Sequence, residues 1–183
     1  MKVKVIFALF TALALTLSSC HSSRRTVRGS QGRSHRTERP AARPQRPGGG
    51  QQKLSGNRKR LIEHAYTWIG TPYLYGGNDS HGVDCSGFVC AVFARTTSVK
   101  LPRSSREIAE FVSKISRESM EPGDLVFFTS KAGGSRINHV AIYVGDNQII
   151  HSTTSRGVIV SNLDDNYWRT HYHRCGRVSQ AWK

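Results

Sequence analysis

The spacing of apolar residues changes along the chain, and each regime predicts a different kind of structure. Val5 to Leu17 is a largely apolar run of thirteen residues, too short to span a bilayer. Residues 21–60 then hold almost no aliphatic or aromatic side chain. Beyond them, Leu61, Ile62, Ala65, Tyr66 and Ile69 fall on one face of a helix from about Asn57 to Ile69, ended by Gly70 and Pro72. Phe88, Val89, Val92 and Phe93 repeat the pattern, so a second helix begins at about Asp84, after the turn formers Gly76, Gly77, Asn78, Asp79 and Gly82. A third begins at Ser104, which forms a capping box with Glu107; Ile108, Phe111, Val112 and Ile115 are its expected buried stripe. After Glu121-Pro122-Gly123-Asp124 the period becomes alternating. Leu125–Thr129, His139–Val144, Gln148–Ser152 and Val158–Ser161 read as strands joined by short turns, which implies antiparallel pairing. Tyr167-Trp168 belongs to a short turn or helix, before a last strand near Arg177 to Ser179. Helices followed by strands predict an α+β domain, with the N-terminal helices packed on one side of an antiparallel β-sheet.

Charge changes the picture only for the first third of the chain. The net charge is +15, but residues 21–60 hold twelve Lys and Arg against Glu38 alone, while residues 61–183 hold thirteen against eleven acids. The predicted domain is therefore nearly neutral. The basic stretch includes Pro40, Pro44, Pro47 and Gly48-Gly49-Gly50 and cannot bury enough apolar surface to offset the entropy of ordering, so residues 20–56 read as a disordered tether. About forty flexible residues span roughly 35 Å. The tether fits either an arm attracted to anionic head groups or wall polymer, or a soluble spacer. It lacks interleaved aromatics and follows an export signal, which disfavours nucleic acid, and no nucleic-acid partner is expected.

That signal is residues 1–19: Lys2 and Lys4, the apolar run, then Leu17-Ser18-Ser19-Cys20. These last four resemble the lipobox of bacterial lipoproteins, in which the cysteine becomes the acylated first residue. Lipidation of Cys20 and membrane attachment through it are expected. His21 follows in place of the aspartate that marks inner-membrane retention, which favours the outer membrane, facing the periplasm. With Cys20 acylated and Cys85 free, Cys90 and Cys175 are the only cysteines left for a disulfide, although Cys90 reads as buried on its helix.

Cys85 stands in the first turn of the second helix, where Asp84 can cap a backbone N–H and the helix dipole favours thiolate. A nucleophile needs a base. His139 and His151 fall on adjacent predicted strands, and a third polar group would fix the tautomer of the base. A regular hairpin about Asp146-Asn147 places residue 142 opposite His151, leaving the two histidines on opposite faces, so a register slip or bulge is predicted. His64 reads as a boundary residue; His81, His171 and His173 read as exposed. No Cys/His cluster has metal-ligand spacing, so neither metal nor cofactor is expected.

Asp84-Cys85-Ser86-Gly87-Phe88-Val89, Asn138-His139-Val140-Ala141-Ile142-Tyr143-Val144-Gly145 and Ile150-His151 resemble the three motifs of the NlpC/P60 family of bacterial cell-wall cysteine peptidases. Gly70-Thr71-Pro72-Tyr73-Leu74-Tyr75-Gly76-Gly77 and Glu121-Pro122-Gly123-Asp124-Leu125 match as well. The resemblance implies a compact papain-like NlpC/P60 fold over residues 57–183. It implies Cys85 as nucleophile, His139 as general base and His151 as the residue orienting it. Tyr73 would help stabilise an oxyanion together with the Cys85 backbone N–H, and Asp84 and Ser86 would contact substrate. The implied substrate is peptidoglycan, cleaved in a stem peptide or at a cross-link through a thioester, by a monomer. An amidase or acyl or peptidyl transferase would use the same Cys/His site. A wall-binding lipoprotein without turnover would not need it. The family's separate wall-binding modules have no counterpart here beyond the tether.

Overall fold

The computed structural model describes residues 56–182. The expected signal peptide, Cys20 and nearly all of the expected tether lie outside the described residues.

Helix α1 (Gly56–Thr67) is followed by a small hairpin, β1 (Asn78–Asp79) and β2 (Gly82–Val83), then α2 (Cys85–Thr96) and α3 (Ser105–Phe111). The strands β3 (Ser113–Ile115), β4 (Leu125–Thr129), β5 (Ile137–Gly145), β6 (Gln148–Thr153) and β7 (Gly157–Asn162) follow, then α4 (Asn166–His171) and β8 (Tyr172–Arg177). A six-stranded sheet has the order β3-β8-β4-β5-β6-β7, and every neighbouring pair is antiparallel. This is the expected α+β arrangement.

Strand alternation divides the sheet into two faces. Leu125, Phe127, Val140, Ile142, Ile150 and Val158 join Leu61, Phe88, Val92, Phe93 and Ile108 of the helices in the main core. Val126, Phe128, Ala141 and Ile149 point the other way and pack with Leu163 against Trp168 and Tyr172. The helices are thus not all on one side: α4 covers part of the second face.

Asp124, fully buried, ties the N-terminal helix to the sheet. Its carboxylate takes two hydrogen bonds from Arg177, at 2.9 and 2.7 Å, and one from Arg58 at 3.4 Å, and accepts from the Glu121 N–H. Arg58 also pairs with Glu121 at 2.7 Å and lies over the Trp182 ring. Its charge, counted with the basic stretch in the sequence, therefore belongs to the fold.

Several boundaries differ from expectation. The third helix stops at Phe111, because Val112 turns to extended backbone and residues 113–115 pair with β8. Phe111 is exposed and Ile115 lies on a strand, so neither extends a helical stripe. The last strand is Tyr172–Arg177 rather than 177–179. Its arginines hide the alternation: Arg174 lies over the Phe127 ring and Arg177 pairs with Asp124. Cys90 and Cys175 are both free; Cys90 hydrogen-bonds the Pro102 carbonyl at 3.2 Å.

Candidate active site

Asp84 organises the start of α2. It holds extended backbone at the N-cap, and its carboxylate accepts from the N–H of Gly87 at 2.7 Å and of Gly76 at 3.0 Å. Ser86 Oγ donates to it at 3.0 Å. Arg103 closes the network, with Nη1 and Nη2 on the two carboxylate oxygens at 3.0 and 2.7 Å, and with further bonds to Ser86 Oγ and the Gly77 carbonyl. Burial pushes the Asp84 pKa up, but the Arg103 and Gly87 hydrogen bonds outweigh it and leave the carboxyl below its ordinary value. Asp84 and Ser86, expected at the substrate, are both buried and direct these polar atoms into this internal network.

Cys85 is the first residue of α2, as its spacing predicts. The β5–β6 ladder runs from Gly145↔Gln148 through Tyr143↔Ile149 to Ile142↔Ile150 and ends there. Beyond that point β5 stays with β4 and β6 stays with β7. The Val140 N–H reaches the Cys85 sulfur instead of β6, and the thiol lies 3.9 Å from the Asn138 carbonyl. A fork in the sheet thus receives the first turn of α2. Burial raises the Cys85 pKa, as does the Asp84 charge, by more than the N–H groups of Val140, Ser86 and Cys85 itself lower it. Burial thus opposes the charge that the helix dipole favours at this sulfur.

The predicted register slip is present. Asp146 and Asn147 form a two-residue turn with positive φ, and the pairing shifts between Tyr143 and Gly145. With Ile142 opposite Ile150, Ala141 comes level with His151, so residues 139, 141 and 151 share a face. His139 Nε2 lies 2.9 Å from His151 Nδ1, and His151 Nε2 lies 2.9 Å from Ser161 Oγ. Nδ1 is the other His139 ring nitrogen, on a residue that lines the same cavity as Cys85. It is free to accept a proton when Nε2–H donates to His151 and His151 Nε2–H donates to Ser161. Burial lowers the His139 pKa to about 4 and depresses that of the buried His151 further, with the neighbouring His139 adding to the effect. Burial thus favours the neutral form of both the thiol and the imidazole.

Tyr73 completes the cleft. It forms a parallel bridge to Val83, just before Asp84, and lines a cavity of about 450 Å³ with Cys85, Asn138, His139, Arg156 and Trp168. Burial and the nearby sulfur raise its pKa, so it keeps its hydroxyl proton at neutral pH and can donate a hydrogen bond there.

A sequence model of the NlpC/P60 family matches residues 70–177, more than half of the chain. The chain belongs to the NlpC/P60 family. It is 40% identical over 121 residues to murein DD-endopeptidase MepS/murein LD-carboxypeptidase of Escherichia coli K12, a match covering 66% of this chain and 63% of that protein. The probable endopeptidase NlpC of the same organism is 41% identical over 118 residues, covering 64% of this chain and 76% of that one. The crystal structure of an NlpC/P60 family protein from Bacillus cereus ATCC 10987 superposes with a TM-score of 0.63 at 30% identity, covering 66% of this chain and 39% of that one.

Within this NlpC/P60 domain, three side chains at the site escaped the sequence reading. Ser161 ends the histidine relay; its signal was one hydroxyl in the otherwise apolar run Val158-Ile159-Val160. Trp168 stacks on His139, with centroids 5.4 Å apart and planes at 25°, and meets His151 edge-on at 4.5 Å. Arg103 had no local signal, since its partners lie nineteen and seventeen residues earlier. Away from the relay, His81 is exposed beside Asp79, while His173 is exposed on β8 and His171 ends α4 half-buried.

Proposed function

We propose that the protein is a murein peptidase that cleaves an amide of a stem peptide or cross-link by covalent catalysis at Cys85. The observation that carries this reading is the relay of His139, His151 and Ser161 facing the cleft that holds the Cys85 sulfur. The names of the similar proteins, a murein endopeptidase and a probable endopeptidase, support the substrate class. In the first step the thiol proton passes to His139 Nδ1 as sulfur attacks the amide carbonyl. The oxyanion is met by the Tyr73 hydroxyl and the Cys85 backbone N–H. Collapse breaks the C–N bond, His139 returns the proton to the leaving amine, and a thioester remains on Cys85. Water then gives its proton to His139 and attacks the thioester, the C–S bond breaks, and the thiol regains the proton.

Burial, which favours the neutral form of both groups, suits this order of events, because the proton moves only as the carbonyl is attacked. We further propose that Cys20 is lipidated and holds the enzyme at the outer membrane facing the periplasm, with residues 20–56 as the tether. That reading rests on the sequence of residues 1–21, and loss of detergent-phase partitioning in Cys20→Ala tests it.

For the activity, the chain and its Cys85→Ala variant are incubated with purified stem peptides and cross-linked dimers, and products are identified by mass. Cleavage by the parent alone is expected. Transfer of the acyl group to an added amine, with no hydrolysis, would move the assignment to a transferase. Tight binding without turnover would make the protein a wall-binding module.

A further inference from the structure

A second concavity, of about 360 Å³, lies between α3, the turn before β5 and strand β8. It is lined by Arg106, Arg136, His173 and Arg174, with Glu110 the one acid among its lining residues. Among the described residues, the arginines that support the fold are matched to carboxylates: Arg58 and Arg177 to Asp124, and Arg103 to Asp84. The three guanidiniums of this cavity have no carboxylate partner. Arg174 donates from Nη2 to the Ala109 carbonyl, and its Nε is buried with no hydrogen-bond partner. Three guanidiniums against the single lining carboxylate of Glu110 leave the cavity with an excess of like positive charge. A bound anion would offset that excess and satisfy donors that the protein leaves open.

Position identifies the anion. Ile137 lines this cavity, while the next residue, Asn138, lines the cleft and meets the Cys85 sulfur with its carbonyl. The two sites therefore meet at consecutive residues of β5, which rises about 3.3 Å per residue. No acid lines the cleft, and Arg156 is the one permanent charge in its wall. Guanidinium groups bind carboxylates through paired, parallel N–H donors.

We propose that the Arg106–Arg136–Arg174 cavity is a carboxylate subsite, which selects stem peptides carrying free carboxylates next to the scissile bond. This inference rests on the peptidase reading above. Two probes test it with the full chain: a cross-linked stem-peptide dimer with free carboxylates, and the same dimer with those carboxylates amidated. The ratio of kcat/KM for the free over the amidated dimer is measured in the parent and in an Arg106→Gln/Arg136→Gln variant, whose unfolding midpoint is checked against the parent. The ratio is expected to fall about tenfold, through KM rather than kcat, the equivalent of about 1.4 kcal/mol. An unchanged ratio in the folded variant overturns the subsite and leaves the peptidase intact. Should the double variant not fold, Arg136→Glu reads the same ratio, with a larger fall expected. If the parent cleaves neither dimer, the peptidase reading fails, and calorimetric binding of the two dimers decides the subsite alone. A preference for free carboxylates that the variant loses upholds it; equal binding overturns it.

Discussion

At the scale of single residues, the site is set by desolvation. His139 has a pKa of about 4, with burial as the cause, against an ordinary value of 6.5. A general base must be neutral to accept a proton, so activity should persist as pH falls through 6.5 and decline only as it approaches about 4. A pH profile of kcat/KM on a stem peptide checks this; an acid limb near 6.5 would contradict it. Trp168 covers the His139 ring on one side. Trp168→Ala admits water to that face, so the His139 pKa should rise and the acid limb move up towards 6.5, with kcat lowered as the ring loses its support. Trp168→Phe should restore most of the parent profile, and a histidine NMR titration reads the same shift without substrate. The positions of Cys85 and His139 were legible from the chain because each sits at a place its own segment defines, a helix start for Cys85 and a strand for His139. Ser161 and Trp168 were not, since a hydroxyl or indole acquires a role only when another element brings a histidine to it.

Among elements, the decisive joint is where the Gly76-Gly77 loop meets the first turn of α2. A Cβ placed on Gly87 would lie 2.0 Å from the Gly77 carbonyl oxygen, which is backbone and cannot rotate away. The same loop gives the Gly76 N–H to Asp84 and the Gly77 carbonyl to Arg103. Gly87→Ala should therefore push the loop off the helix start. We expect a loss of about 2 kcal/mol or more in urea unfolding, in the range for overpacked sites, together with loss of most activity because Tyr73 and Cys85 flank the displaced loop. A variant with parent stability would show that the loop has slack. The glycines were visible in the sequence as turn formers; the close approach behind Gly87 was not, because Gly77 is ten residues away and reaches it only after the hairpin closes. The bulge at Val144 was called for by chemistry alone, as hydrophobic alternation carries no mark of a single unpaired residue.

Across the whole molecule, Asp124 joins distant parts of the chain. Arg58 of α1 and Arg177 at the end of β8 both bind its fully buried carboxylate. Asp124→Ala would leave two guanidiniums partly buried without their shared partner, a class of change that costs about 3–5 kcal/mol. Thermal unfolding should show a large fall in Tm; Arg177→Lys, which keeps the charge but loses the paired geometry, should show a smaller one. A Tm change of a degree or two in Asp124→Ala would refute this role. In the sequence, Asp124 reads only as part of a turn and Arg58 as one charge in a basic run.

The linear order of residues determined the class of fold, the positions of most helices and strands, and the placing of Cys85 at a helix start and of His139 and His151 on neighbouring strands. These follow from local periodicity and capping, which short stretches of chain encode in themselves. The tertiary structure decided which way the buried charges pair, where β5 and β6 part to admit Cys85, and how His151 and Trp168 come to surround His139. It also raised the pKa of the Cys85 sulfur, because protonation depends on water removed by residues far away in sequence.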